Sequence, residues 1–219
     1  MHSRHELAWL TERGWQAALA EAHVQDAEAI KQWQQADWPA VVRRQDATSA
    51  PADDWIALGI PLPPLRHDGS KGRVALRCRA ADLARTARPV SLQAACKSAP
   101  DAWHHGLVAL CADAGGFELR VYGSLAMQSL TGLRYVRAGS DLDLLFYPRD
   151  AAQLDAGVAL FDAHARTLPL DGEIVFANGD AVAWKEWRDA CAGDARVLVK
   201  HVRGVRLDTT AALRATLES

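Results

Sequence analysis

Val121-Tyr122-Gly123-Ser124-Leu125-Ala126, followed by Ser140-Asp141-Leu142-Asp143-Leu144-Leu145-Phe146, decides how this 219-residue chain is read. An apolar strand enters a Gly-Ser turn at the start of a helix, and the next strand carries two carboxylates separated by one apolar residue. Strand side chains alternate between faces, so Asp141 and Asp143 point one way while Leu142, Leu144 and Phe146 point to the core. Two residues of strand set the carboxylate positions roughly 6.5 to 7 Å apart. Aligned carboxylates repel each other, and a divalent cation removes the conflict. Mg²⁺ takes carboxylate oxygens and commonly adds substrate phosphates, which connects the Asp pair to a phosphate-binding Gly-Ser turn.

The turn supplies what a phosphate needs. A helix N-terminus offers unpaired N–H groups and a partial positive charge, and the missing side chain of Gly123 lets an anion approach the backbone beside Ser124. Joined to the Asp pair, this reads as a nucleotidyltransferase site. Two-metal phosphoryl chemistry adds a third carboxylate. Leu168-Pro169-Leu170-Asp171-Gly172-Glu173-Ile174-Val175-Phe176 supplies two candidates on a separate strand, Asp171 and Glu173, which share a face by alternation. Glu173 is preferred because it lies further into the apolar run, with Asp171 shaping the strand entrance. Lys200 ends the run Val197-Leu198-Val199 and reaches either a triphosphate or, by snorkelling, the solvent.

Around this motif the pattern predicts an α+β protein of two domains, residues 1–88 and 89–219, with a boundary near Pro89. Residues 5–36 read as helical, and strands are predicted at 40–43, 55–60 and 73–79. The last alternates cleanly, with Val74, Leu76 and Cys78 on one face and Arg73, Arg77 and Arg79 on the other. That basic face receives phosphates or an acidic protein, or is a solvated edge that resists aggregation by its charge. Pro61-Leu62-Pro63-Pro64 and Asp68-Gly69-Ser70-Lys71-Gly72 read as turns. After Trp103 come helix, strand, turn, helix and the Asp-bearing strand. A helix over 150–166, a hairpin through Asn178-Gly179, a helix over 185–191, a strand over 197–200 and a closing helix after Asp208 complete the chain.

The bulk numbers bound the function. With 49% hydrophobic and 24% charged residues the chain has a globular composition, and a net charge of −2 excludes a general electrostatic trap for nucleic acid. No apolar run approaches the length of a membrane span, and Met1-His2-Ser3-Arg4-His5-Glu6 lacks the apolar centre of a secretory signal, so a cytoplasmic location is expected. Cys78, Cys96, Cys111 and Cys191 are scattered without a CxxC pair and read as buried free thiols. His104-His105 reads as a helix surface pair. The eight tryptophans read as core and seam residues, with Trp184 or Trp187 the ones placed to stack on a base.

The longer string Gly123-Ser124-Leu125-Ala126-Met127-Gln128-Ser129-Leu130-Thr131-Gly132-Leu133-Arg134-Tyr135, continuing through Ala138-Gly139-Ser140-Asp141-Leu142-Asp143-Leu144-Leu145, resembles the phosphoribosyl-dephospho-CoA transferases of malonate decarboxylase, also called malonate holo-acyl-carrier-protein synthases. Further matches are Val41-Val42-Arg43-Arg44, Leu58-Gly59-Ile60-Pro61-Leu62-Pro63-Pro64, Asp171-Gly172-Glu173-Ile174-Val175-Phe176 and Ala183-Trp184-Lys185-Glu186-Trp187. Met127 departs from the aromatic residue expected there. The resemblance implies a C-terminal half with a polymerase-β-like nucleotidyltransferase fold, a mixed sheet flanked by helices. It implies transfer of a phosphoribosyl-dephospho-CoA group from a triphosphoribosyl precursor to a serine of the apo acyl-carrier subunit, with release of pyrophosphate. Asp141, Asp143 and Glu173 would hold Mg²⁺, and Gly123, Ser124 and Lys200 would meet phosphates. No nucleic-acid or membrane partner is expected. A nucleotidyltransferase with another acceptor and a non-catalytic nucleotide-binding adaptor are the alternatives.

Overall fold

The computed structural model describes residues 2–45, 54–64, 72–190 and 195–217, which fold as α+β with two sheets. The turn read at 68–72 lies outside the described residues apart from Gly72, and Cys191 also lies outside them. The chain divides into two compact units, Met1–Pro89 with Val202–Gly204, and Val90–His201 with Val205–Ser219.

The first unit is a five-stranded antiparallel sheet. In chain order it has β1 (Leu7–Leu10), α1 (Glu12–Glu21), α2 (Ala27–Gln35), β2 (Ala40–Val42), β3 (Trp55–Pro61), β4 (Arg73–Arg79) and β5 (Leu83–Ala87), with sheet order β4-β3-β2-β1-β5. The helix read over 5–36 is therefore corrected. Leu7-Ala8-Trp9-Leu10 is a short continuous apolar run, and it forms a strand hydrogen-bonded on both sides, to β2 and to β5. Helix begins only after Thr11, whose hydroxyl accepts from the Gly14 N–H at 3.1 Å. Trp15, Ala18, Ile30 and Trp33 are buried, as are Leu58, Ile60, Val74 and Leu76 on the strands.

The second unit contains β6 (Val90–Ser91), α3 (Leu92–Cys96), α4 (Asp101–Asp113), β7 (Glu118–Val121), α5 (Gly123–Thr131), β8 (Leu142–Tyr147), α6 (Ala151–His164), β9 (Leu170–Val175), β10 (Ala181–Ala183), α7 (Trp184–Ala190), β11 (Arg196–His201), β12 (Gly204–Thr209) and α8 (Thr210–Ala215). Its sheet order is β12-β11-β10-β9-β8-β7-β6. The sheet is mixed because β8 and β9 run parallel, and a parallel pair needs a crossover, which α6 provides. Leu142, Leu144, Phe146, Leu170, Ile174, Val182, Val197 and Val199 share one face of this sheet and form its core with Phe161, Trp184 and Trp187. The alternate residues of the same strands therefore lie on the other face. Among the described residues no helix is long and apolar enough to cross a membrane.

β12 escapes sequence reading because Val205 and Leu207 are 51% and 60% exposed, so the strand has no buried alternation to betray it. It is tied back by a bidentate pair: Arg206 donates to both carboxylate oxygens of buried Asp180 at 2.7 and 2.6 Å, and Asn178 Nδ2 donates to the same carboxylate at 2.8 Å. These partners, Arg206 first, hold the Asp180 carboxyl below its ordinary range against the opposing effect of burial.

Removing Arg206 leaves a buried carboxylate without its main counter-charge, so Arg206→Met is expected to lower the unfolding free energy by about 3 kcal/mol at neutral pH. A depressed native value means that the pair's contribution is complete above the unfolded aspartate value of about 4 and is lost as pH falls through the lower folded value. Denaturant unfolding of both proteins across pH should show the gap closing below about pH 4. A gap that stays constant into acid would assign the effect to packing.

Candidate active site

The face of the second sheet turned away from its core carries the chemistry, and strand register fixes who stands beside whom. Asp143 on β8 is directly opposite Asp171 on β9. Two residues along, Arg120 on β7, Leu145, Glu173 and Ala183 on β10 stand in one row across four strands. Two residues further, Val175, Ala181 and Lys200 on β11 form the next row. Asp141, exposed, lies just before β8, where the Leu142 N–H donates to Pro169 O at 2.8 Å.

Gly123 welds the turn to this face. Its φ is +67°, and a Cβ at this position would stand 2.1 Å from Asp143 Oδ2, so only glycine admits both the backbone conformation and the carboxylate. The preceding Tyr122 N–H donates to Asp143 O at 3.1 Å. Helix α5 therefore presents its first turn, including buried Ser124, against the Asp143 carboxylate. At its other end Gly132 closes the helix with φ +72°. Gln128 Oε1 then accepts from both Tyr135 and Val136 N–H at 3.0 Å, which ties the following segment back to the helix. That segment enters a turn in which Ser140 Oγ accepts from Arg137 N–H at 3.0 Å, and this places Asp141. The Leu-Thr-Gly-Leu stretch is thus the mechanical link between the turn and the carboxylate pair.

β9 meets Leu144 of β8 through a glycine. Gly172, with φ +151°, would place a Cβ 2.1 Å from Leu144 O, so a side chain at this position would push apart the strands that align Asp143 with Asp171.

Cations stand among the acids. Lys200 Nζ pairs with Glu173 Oε1 at 2.9 Å, and the Glu173 side chain is only 4% exposed. Lys185 Nζ lies 3.3 Å from Asp171 Oδ1, a pair half open to solvent. Arg120, three-quarters covered, pairs with Glu118 at 3.0 Å. Lys185 and Arg120 were not singled out from the sequence. Alternation along β7 puts Arg120 on the Asp143 side, since its neighbours Leu119 and Val121 belong to the core. For Lys185 the signal was its place between the core residues Trp184 and Trp187.

Of the expected set, the structure joins Gly123 with Asp143 and sets Asp171 beside Asp143, while Glu173 stands with Lys200. Among the described residues no three of His, Cys, Asp and Glu are close enough to hold a metal ion. The donor chemistry nonetheless suits a small hard cation: Asp141, Asp143 and Asp171 offer only carboxylate oxygen, and Gly123 keeps the space beside Asp143 free of a side chain. A shared ion then requires rotation of Asp side chains, and the exposed Lys185 contact on Asp171 is weak enough to yield.

Other expectations are resolved as well. Trp184 and Trp187 are 0% and 1% exposed, which removes them as base-stacking platforms. His104 and His105 are exposed on α4. The Cys78 thiol is buried and pushed up to about 12 by burial and then by Asp82 and Asp54. The Cys96 thiol is also pushed up to about 12, by burial and by the Cys111 sulfur 3.6 Å away, so both stay protonated at neutral pH. On β4, Arg73, Arg77 and Arg79 share the exposed face, and the guanidinium carbons of Arg77 and Arg79 stand 4.7 and 4.6 Å from the Trp55 ring centre. Arg77 also pairs with Glu21 at 2.9 Å.

Residues 3–89 match the family described as phosphoribosyl-dephospho-CoA transferase MdcG N-terminal domain, and residues 91–211 match the corresponding C-terminal domain. The chain is 42% identical over 219 residues to a phosphoribosyl-dephospho-CoA transferase of Xanthomonas euvesicatoria, covering 97% of each. It is 40% identical to one of Bradyrhizobium diazoefficiens, covering 93% of this chain and 88% of the relative. It is 34% identical to one of Pseudomonas putida, covering 77% and 78%. No solved structure matches.

Gly123→Ala is expected to cost about 1 to 2 kcal/mol of stability from its left-handed backbone, and to lower turnover at least about a hundredfold by displacing Asp143. Gly132→Ala is the control, since it has the same backbone but nothing within 4 Å of the added carbon. It should lose comparable stability and keep turnover within about threefold. Equal activity losses in the two variants, measured beside their denaturation curves, would separate Gly123 from the chemistry.

Proposed function

This chain belongs to the phosphoribosyl-dephospho-CoA transferase family, and we propose on that premise that it moves a phosphoribosyl-dephospho-CoA group from a triphosphoribosyl-dephospho-CoA donor to a serine of the apo acyl-carrier subunit of malonate decarboxylase. Pyrophosphate leaves, and the work is cytoplasmic. The observation that carries the reading is the Asp143 carboxylate set against the glycine that opens α5, because this joins a phosphate-binding helix start to the acidic face. A polymerase-β-like relationship for the second unit agrees with its mixed sheet and its Gly-Ser and Asp-x-Asp elements.

Asp141 and Asp143, with a third carboxylate from β9, would hold Mg²⁺. When bound, the ion supplies charge neutralisation at the attacked phosphorus and lowers the pKa of the seryl hydroxyl. The chain's own groups do the rest. The N–H groups of Gly123 and Ser124 face the departing diphosphate, and the helix dipole favours its added charge. The carrier serine Oγ forms a bond to the α-phosphorus while the bond from that phosphorus to the bridging oxygen of the diphosphate breaks. Asp141 or Asp143 accepts the hydroxyl proton and returns it to solvent. No nucleophile of this chain takes part, so transfer is one in-line displacement.

The first unit, which carries no paired-acid motif, serves recognition through Arg73, Arg77 and Arg79. A different acceptor for the same chemistry, or a non-catalytic adaptor, is separated by mass spectrometry of apo carrier after incubation with donor, since the added mass identifies both partners of the reaction.

By that assay, Asp141→Asn and Asp143→Asn are each expected to reduce transfer at least about a thousandfold while remaining folded, which corresponds to about 4 kcal/mol of lost transition-state stabilisation. Near-normal transfer by either variant contradicts the metal assignment. Changing Arg73, Arg77 and Arg79 together to Glu should raise the apparent Michaelis constant more than it lowers turnover, and added salt should mimic the effect in the unmutated protein. Unchanged kinetics in the triple variant would return this face to a solvated edge.

A further inference from the structure

The two acids of β9 are not equivalent. By strand register Asp171 is abreast of Asp143, one strand spacing or about 4.8 Å away, whereas Glu173 is a further two residues along and about 8 Å from Asp143 on the diagonal. Measured to Asp141 the offset is four residues of strand, about 13 Å along the chain direction, which side-chain length does not recover for one small ion. Glu173 is instead 3% exposed and paired with Lys200. The contact spans β10, and the two residues of β10 on this face, Ala181 and Ala183, have only methyl groups. Lys200 therefore lies across them to reach Glu173.

We propose that Glu173 is a positioning residue that fixes the Lys200 ammonium toward the donor's phosphates, and that Asp171 is the carboxylate that joins Asp141 and Asp143 at the metal. A lysine side chain has many rotamers, and a buried carboxylate on a strand selects one of them. Lys200 spends one of its three N–H donors on Glu173 Oε1 and remains one-third exposed on the face that carries the carboxylates. Asp171 meets the exposed Lys185 ammonium in this structure. With Asp171 engaged at the metal, Lys185 would be released from it to turn to the same phosphates, which would couple the two binding events.

This rests on the metal-dependent reading, and two readouts that need no turnover keep the ideas apart. The first is Mn²⁺ affinity by electron paramagnetic resonance. Asp171→Asn is expected to weaken it about tenfold, and Glu173→Gln to leave it within about twofold. The second is calorimetric affinity for triphosphoribosyl-dephospho-CoA without carrier. Glu173→Gln and Lys200→Gln should each weaken donor binding about tenfold, and the double variant should be no worse than either single one. In the transfer assay Glu173→Gln should then raise the donor Michaelis constant with turnover within about threefold of wild type.

Loss of Mn²⁺ binding in Glu173→Gln but not in Asp171→Asn would overturn the assignment. Additive losses of donor affinity would overturn the positioning role. If Mn²⁺ binding ignores Asp141→Asn and Asp143→Asn altogether, the metal reading itself fails, while the coupling of Glu173 to Lys200 is still decided by the donor titration. Should Glu173→Gln not fold, Lys200→Gln and Lys200→Arg carry the test: the first must weaken donor binding with Mn²⁺ affinity unchanged, and the second must restore most of it.

Discussion

The acidic face is built on the parallel pairing of β8 with β9. Gly172 leaves room for Leu144 O where a side chain would clash, and the register of the pair puts Asp171 abreast of Asp143. Their backbones are one strand spacing apart, and like charges brought to about that separation would repel by about 3 kcal/mol at an effective dielectric constant near 20, so the pairing relies on core packing on the opposite face. That face is well supplied: Leu142, Leu144, Phe146 and Ile174 are fully buried. The acidic cluster is thus held by hydrophobic burial behind it, and its charge is answered from in front by lysines and, in the proposed working state, by a metal ion.

The cations differ in kind. Glu173 and Lys200 form a pair whose carboxylate is almost completely buried, and breaking such a pair removes the counter-charge that Lys200 supplies to a buried carboxylate. Lys185 and Asp171 are both about half exposed, a type of contact worth at most about 1 kcal/mol. In the proposed working state a divalent ion with phosphate ligands would displace the second and leave the first intact. Permanence and exchangeability are therefore divided between neighbouring acids of one strand.

Much of this was legible in the sequence. Alternation separated Asp143 from the core residues Leu142, Leu144 and Phe146, and the glycine of the Gly-Ser turn is fitted against that carboxylate. Strands at 40–43, 55–60 and 73–79 correspond to β2, β3 and β4. β1 was hidden because four apolar residues in a row carry no period, and the α-helix that follows lent them its own. The relation of Asp171 and Glu173 to Asp143 was beyond reach, since alternation puts both on one face and only register between strands distant in sequence ranks them. Lys185 was hidden for a related reason: its partner is set by the hairpin that returns β10 along β9.

In the proposed reaction the carrier's serine attacks the donor's α-phosphorus at the acidic face, with no covalent intermediate on this chain. A donor made chiral at that phosphorus by sulfur substitution decides between one displacement and two. Inversion of configuration is expected in the phosphoribosyl-dephospho-CoA attached to the carrier. Net retention would mean two displacements and a nucleophile on this chain, and would rule out direct attack.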